Sequence, residues 1–477
     1  MCLATLALSA AAAPVAGAPT QPCRLKGVEH AAQCGHLVRA LDPAEPQGRK
    51  IDLHFAVLPA LARHKKPDPV FFLAGGPGQS AIELAGPVGR MLARLGNRRD
   101  IVLIDQRGTG LSAPLECEEQ APTSALAEQI DPALQARRLS ACRQMLMRLP
   151  HGDLRHFTTT IAAADVDAVR QALGAAQVNL VAASYGTRLA LEVMRLFPAT
   201  VRRAVLDGVA PPDMVLPQAS AADTQATFDA LFAACKAEAA CKGRYPMLRD
   251  DWHGLLASLP RTVILAQPLT GKAETVLLSS DMLLALVRVA LYAPVLASAL
   301  PAAIHRAALG DFTPLVGLSS ALGGGRTGAV AQGMHFSVIC SEDVPRMGKA
   351  PPTPDFGAGL APLYHEVCRD WPRGSVPAAF YSLPNAQSAT LLLSGGLDPV
   401  TPPRHAERVA GSLGPLARHE VVPNAGHGLL SLGCIRDVVF HFIDAPTDAE
   451  ALQVKADCAR DIPRPPAFVP LGAALPQ

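Results

Sequence analysis

Short apolar runs, each followed by a segment with apolar positions three or four apart, recur between residues 34 and 210 and return after residue 386. The first two runs, Cys34-Gly-His-Leu-Val-Arg-Ala-Leu41 and Ile51-Asp-Leu-His-Phe-Ala-Val-Leu58, alternate apolar with polar. Asp42-Pro-Ala-Glu-Pro-Gln-Gly48 between them is turn chemistry, so the pair predicts an N-terminal hairpin. His54, inside the second strand, reads as structural or solvent-facing. Further strands follow at Val70–Leu73, Ile101–Ile104, Val178–Ala182, Ala204–Leu206 and Ala389–Leu393, mostly apolar, and that at Val178–Ala182 has the look of a short buried strand. Helical spacing marks 131–149, 160–173, 403–413 and 434–444, with a further short strand from Arg418 to Val422.

From about Pro211 to Asn385 the alternation stops. Segments 223–241, 250–259 and 279–310 read as helices, and Gly323-Gly-Gly-Arg-Thr-Gly328 as a joint. The pattern therefore predicts an α/β fold: a mostly parallel sheet flanked by helices over 19–211 and 386–477, with a mainly helical cap inserted at 212–385. At 477 residues the chain exceeds a single simple core, which agrees with an insertion.

The stretch around Ser184 gives the fold its chemistry. An apolar strand runs through Ala182-Ala183-Ser184-Tyr185-Gly186-Thr187 into a helix carrying Leu189, Val193, Leu196 and Phe197. Two positions to either side of the serine stand small residues, Ala182 and Gly186. That is the composition of a nucleophile elbow, a strained strand-to-helix turn that lifts a hydroxyl above a sheet edge. The usual pattern is Gly-x-Ser-x-Gly, and Ala182 stands at its first glycine. Two further strand ends carry matching groups, Asp398 in Gly396-Leu-Asp-Pro-Val-Thr401 and His427 in Asn424-Ala-Gly-His-Gly428. The order Ser, Asp, His, each just past a strand, is that of the α/β-hydrolases. His427 would take the Ser184 proton as base, while Asp398 would hold the imidazole tautomer and stabilise the imidazolium. Thr401 would orient the Asp398 loop. The glycine-rich loop Gly75-Gly76-Pro77-Gly78 follows a strand and lacks the Lys-Ser/Thr of a phosphate loop. It supplies, with the residue after the nucleophile, the expected oxyanion-hole amides, Gly76 and Tyr185. Asp105 and Arg107 read as architectural, pinning the loop behind that site.

These motifs, together with Asp105-Gln-Arg-Gly-Thr-Gly110 and the segment after residue 386, resemble the secreted serine exopeptidases of the tripeptidyl aminopeptidase and prolyl iminopeptidase group. The resemblance covers nearly the whole chain after the leader. Ala74, where a histidine often opens the glycine loop, and Ala182 depart from the pattern without removing a catalytic atom. The resemblance implies cleavage of short peptides from a free N-terminus through an acyl-enzyme, with no metal and no organic cofactor. It also implies acidic cap residues that hold the substrate ammonium, which makes Glu342 and then Asp343 of Cys340-Ser-Glu-Asp343 the candidates. Fold and triad alone leave a carboxylesterase or lipase open, and a binding protein on an inactive hydrolase scaffold would lack a triad member.

Composition bounds the setting. A net charge of +2, with no basic run, gives no electrostatic case for nucleic acid. Residues 1–18 are uncharged and end Ala16-Gly17-Ala18, like the core and cleavage site of an export signal, although a positively charged start is missing and Pro19 follows. No stretch suits a membrane span, since 282–304 is broken by Arg288, Pro294 and Pro301. Ten of the eleven cysteines lie beyond the leader, and no Cys-x-x-Cys occurs, which argues against zinc. An even count in sequential pairs points to disulfides and an oxidising, periplasmic or extracellular compartment, with neighbours paired as 23–34, 117–142, 235–241, 340–368 and 434–458. Connectivity is not fixed by spacing.

Overall fold

The computed structural model describes residues 20–118, 120–321, 329–349 and 351–470. The leader and the Gly323–Gly328 joint lie outside these residues. Among the described residues there are eleven strands: β1 Gln21–Cys23, β2 Ala32–Ala40, β3 Lys50–Leu58, β4 Val70–Leu73, β5 Ile101–Ile104, β6 Val178–Ala183, β7 Val201–Asp207, β8 Arg261–Ala266, β9 Ala273–Leu278, β10 Ala389–Gly395 and β11 Ala417–Val422. Nine of them form one sheet in the order β1-β2-β3-β5-β4-β6-β7-β10-β11. The first three are antiparallel neighbours, and from β5 onward all pairs are parallel.

Alternate side chains of the parallel strands feed two cores. Phe72, Leu103, Val181, Val205 and Leu391 pack toward the helix Ile435–Asp444. Phe71, Leu180, Ala182, Leu206 and Leu392 pack toward the helices Thr159–Ala172, Tyr185–Leu196 and Pro403–Leu413. Two buried faces explain why these strands are mostly apolar.

The inserted segment has its own core, centred on Phe228, Trp252, Leu283, Ile304 and Phe312. Within the mainly helical cap that the sequence predicts, two details differ from the expected segments. Residues 261–278 form the antiparallel hairpin β8–β9. The segment 279–310 is three helices, Ser280–Leu291, Pro294–Ala297 and Leu300–Ala308, because each proline removes a helical N–H and is accommodated in a first turn. The helix Gln332–Glu342 leaves this cluster and packs with Tyr185, Leu115, Phe157 and Trp371 against the sheet domain. The ten cysteines form five disulfides, Cys23–Cys34, Cys117–Cys142, Cys235–Cys241, Cys340–Cys368 and Cys434–Cys458. Among the described residues no helix is long and apolar enough to cross a membrane.

Candidate active site

Four neighbouring parallel strands, β6, β7, β10 and β11, end on one edge of the sheet and carry the site. Ser184 follows β6 with φ +55° and ψ −125°, a conformation that L-residues adopt only under constraint. Two contacts hold it there. The Ser184 N–H donates to the Asp207 carbonyl at 2.8 Å, and its own carbonyl takes the Thr187 N–H at 2.9 Å. The helix that starts at Tyr185 comes so close to β4 that a Cβ on Gly186 would lie 2.1 Å from the Leu73 carbonyl oxygen. Only glycine fits there, and Ala182, wholly buried in β6 beside Leu73, shows that the strand position needs a small residue rather than glycine.

Asp398 leaves the end of β10 and is buried. Its Oδ1 takes the N–H groups of Val400 and Thr401 at 2.8 and 2.9 Å, and its Oδ2 takes the Thr401 hydroxyl at 2.7 Å and lies 2.8 Å from His427 Nδ1. Thr401 Oγ1 also lies 3.1 Å from that nitrogen. With Asp398 accepting, Nδ1 carries the proton and Nε2 is left as the basic nitrogen. Burial pushes the Asp398 carboxyl up, but the charge and hydrogen bond of His427 and the donors of Thr401 outweigh it and hold the group below the usual carboxylate range. For His427 burial acts downward, and the Asp398 charge and hydrogen bond reverse it, leaving the imidazole above its ordinary value. Ser184 and His427 each stand against the end of β7. The His427 Cε1 lies 3.2 Å from where a Cβ on Gly208 would stand, one residue beyond the carbonyl that holds Ser184.

The glycine loop abuts the nucleophile: a Cβ on Gly75 would lie 3.0 Å from Ser184 Cβ, and Gly76 has φ +109°. Among the described residues no acceptor takes the Gly76 or Tyr185 amide. Asp105 braces the loop from behind, accepting from Ser80 Oγ at 2.7 Å and from the Ile82 and Leu111 amides. Its burial pushes its pKa up to about 6. Arg107 spans Asp165 and the carbonyls of Leu41 and His156, an architectural role. His335 joins the loop to the cap through the Pro77 carbonyl (3.3 Å) and the Tyr364 hydroxyl (2.7 Å), and burial lowers its pKa to about 4, so it is neutral at ordinary pH.

Glu342 and Asp343, expected to receive a substrate ammonium, are buried and bonded to protein groups. Both are 1 % exposed. Asp343 takes both ends of the Arg188 guanidinium, at 2.8 and 3.2 Å, and the Leu216 N–H. Glu342 takes the N–H and the hydroxyl of Thr159 and lies 3.5 Å from Arg188. Thr159 Oγ1 in turn bonds the Tyr185 hydroxyl at 2.7 Å. The two acids thus stand under the elbow helix, with their oxygens taken by protein groups. Two contributors were not singled out from the sequence. Asp207 accepts the Leu429 and Leu430 amides at 2.7 and 2.9 Å and so ties the histidine loop to β7. Its place at the end of a buried strand, in Leu206-Asp207-Gly208, was the available signal. Tyr292 of the cap accepts the His427 N–H at 3.1 Å and sets its ring edge-on to the imidazole; nothing local in the sequence marks it. Among the described residues no cluster of three or more His, Cys, Asp or Glu could hold a metal ion.

The sheet order and the strand-to-helix elbow define the class of fold, that of the α/β-hydrolases, and the family described as alpha/beta hydrolase fold matches residues 68–240. Residues 353–451 match the family described as TAP-like protein. The chain is 32 % identical over 219 residues to a tripeptidyl aminopeptidase of Streptomyces lividans (43 % of this chain, 41 % of that protein). It is 31 % identical over 306 residues to the serine protease Hip1 of Mycobacterium bovis (59 % and 58 %) and 29 % identical over 233 residues to the putative hydrolase YuaR of Escherichia coli (46 % and 44 %). The chain spans about half the length of the curated relatives it matches.

Proposed function

We propose that the protein is a serine exopeptidase that cleaves peptides from a free N-terminus, of the tripeptidyl or prolyl type, through an acyl-enzyme. One observation carries it: a buried Asp398 holds His427 at 2.8 Å beside a serine locked in a positive-φ elbow. His427 Nε2 draws the Ser184 proton as Oγ attacks the scissile carbonyl. The Gly76 and Tyr185 amides receive the oxyanion, each donor typically worth about a hundredfold in rate. Protonated His427 then gives its proton to the leaving amine, and water reverses the sequence to free the acyl group. The names of the relatives, a tripeptidyl aminopeptidase and a serine protease, support peptide over ester as the acyl substrate. The five disulfides support export into an oxidising compartment.

A ladder of free-N-terminal peptides, read by product mass, tests the proposal. The parent should release short N-terminal pieces, acetylation of the N-terminus should stop it, and Ser184→Ala should lower kcat by about ten-thousandfold or more. Cleavage indifferent to acetylation, or hydrolysis of esters alone, would overturn it.

A further inference from the structure

The inserted segment and the stretch 120–135 line an open cavity of about 950 Å³. Its walls come from the helices Leu216–Ala237, Ser280–Leu291, Thr313–Ser320 and Ala361–Arg369, and from residues 120–135. Neither Ser184 nor His427 lines it, but three contacts join it to the site. Thr224 on its wall donates to the carbonyl of Pro399, the residue after Asp398, at 3.3 Å. Leu363 on its wall precedes Tyr364, which reaches the glycine loop through His335. Arg288 on its wall stands one helical turn before Tyr292, whose carbonyl holds the His427 N–H.

The charges around this cavity are unevenly matched. Asp355 is taken by Gln225, Trp252 and Arg249, at 2.6, 2.8 and 3.1 Å. Asp281 and Glu366 sit on the exposed rim. Arg288 is half-buried, and among the described residues no carboxylate lies within ion-pair distance of it and no acceptor takes its donors. Its charge is felt by the buried hydroxyls of Tyr292 and Tyr364. A guanidinium offers five donors in a planar fork that matches a carboxylate two for two. Four residues of helix separate Arg288 from Tyr292, about 6 Å along the axis, which is roughly two residues of extended peptide.

We propose that Arg288 is the carboxylate-recognising residue of this cavity, so that the preferred peptides carry a carboxylate, from an acidic side chain or from their own C-terminus, a few residues from the scissile bond. This assignment rests on the hydrolytic site described above and refines its substrate class.

The test compares kcat/KM within matched pairs: peptides with Glu against Gln at successive positions, peptides ending in a free acid against the amide, and a nitrophenyl hemisuccinate against the butyrate. The parent should favour the charged member of at least one pair by about tenfold or more. The peptide pair that shows it identifies the source of the carboxylate. In Arg288→Met that ratio should fall to near one, and Arg288→Lys should restore part of it. Arg306→Met, on the surface, should leave the ratio as in the parent, and thermal unfolding confirms that the variants are folded. No preference in any pair, or a preference that survives Arg288→Met, overturns the assignment. Peptide cleavage without carboxylate preference sinks this assignment alone, whereas an Arg288-dependent preference confined to the ester pair sinks the peptidase proposal and keeps this one.

Discussion

Ser184 and Asp207 are joined through their main chains, the serine N–H donating to the aspartate carbonyl at 2.8 Å. The Asp207 carboxylate, buried and with a pKa pushed up to about 6 by that burial, simultaneously holds the amides of Leu429 and Leu430. One residue therefore sets the relative position of the nucleophile's strand and the base's loop.

Asp207→Ala should consequently harm both stability and turnover. It leaves two buried N–H groups without acceptors, at about 1–3 kcal/mol each. Urea unfolding should show a loss on the order of 2–5 kcal/mol, while Asp207→Asn, which keeps an acceptor oxygen, should lose clearly less. Equal losses in the two variants would show that the amide contacts are not what Asp207 contributes.

The acid limb of the rate profile should follow His427. The Asp398 charge holds the imidazole above 6.5, and the base works only when neutral, so activity should rise with a midpoint above that value. Asp398→Asn removes the charge. The midpoint should then move to lower pH and the plateau should drop by about ten-thousandfold, as expected when the tautomer is no longer enforced. In stability terms the same pair acts in a window. The His427 contribution is complete below its ordinary pKa and is lost as pH rises through the raised folded value; that of Asp398 is present above the ordinary carboxylate range and is lost as pH falls through the lowered one.

Glu342 should imprint a slope of the same sign as His427 and opposite to Asp398. Burial raises its pKa from 4.5 to about 7 against the pull of Arg188. Between those values the folded state binds the proton that the unfolded chain has already released, so its contribution makes stability fall as pH rises from 4.5 to about 7. Glu342→Gln keeps an acceptor for Thr159 and has no proton to release. The difference in unfolding free energy between parent and variant should therefore change across that window, and a pH-independent difference would refute the buried, proton-holding carboxyl.

The Cys340–Cys368 bridge ties the helix carrying Glu342 to the helix Ala361–Arg369 across 28 residues. Chain-entropy estimates for a loop of that size give about 3.5 kcal/mol. Cys340→Ser with Cys368→Ser should lower Tm by several degrees, and the loss should be matched by reducing the parent's accessible bridges only if this one opens.

The sheet was legible because its central strands β4, β5, β6, β7 and β10 are buried on both faces, and β10 and β11 lead into motifs rich in glycine and proline. The hairpin β8–β9 was hidden by its exposure: Ile264 and Leu277 face solvent, so apolar residues there mark no core. Asp398 and His427 could be paired by order and motif, being 29 residues apart and both at strand ends. Glu342 and Asp343 could not be placed that way. Their partner Arg188 lies 155 residues from Asp343, and nothing in Cys340-Ser-Glu-Asp343 distinguishes an acid that faces substrate from one that braces a helix. Such a choice is made by tertiary packing alone.

Tyr292 holds the main chain of His427, and the backbone has no slack there, since a Cβ on Gly426 would come within 2.4 Å of the same carbonyl. The inserted segment is thereby stitched to the base itself. Were it to swing away as a rigid lid, it would tear that stitch and drag the imidazole off Asp398, switching the enzyme off at the moment it admitted cargo. The insertion is anchored, on the side where Tyr292 stands, to the main chain of the histidine loop.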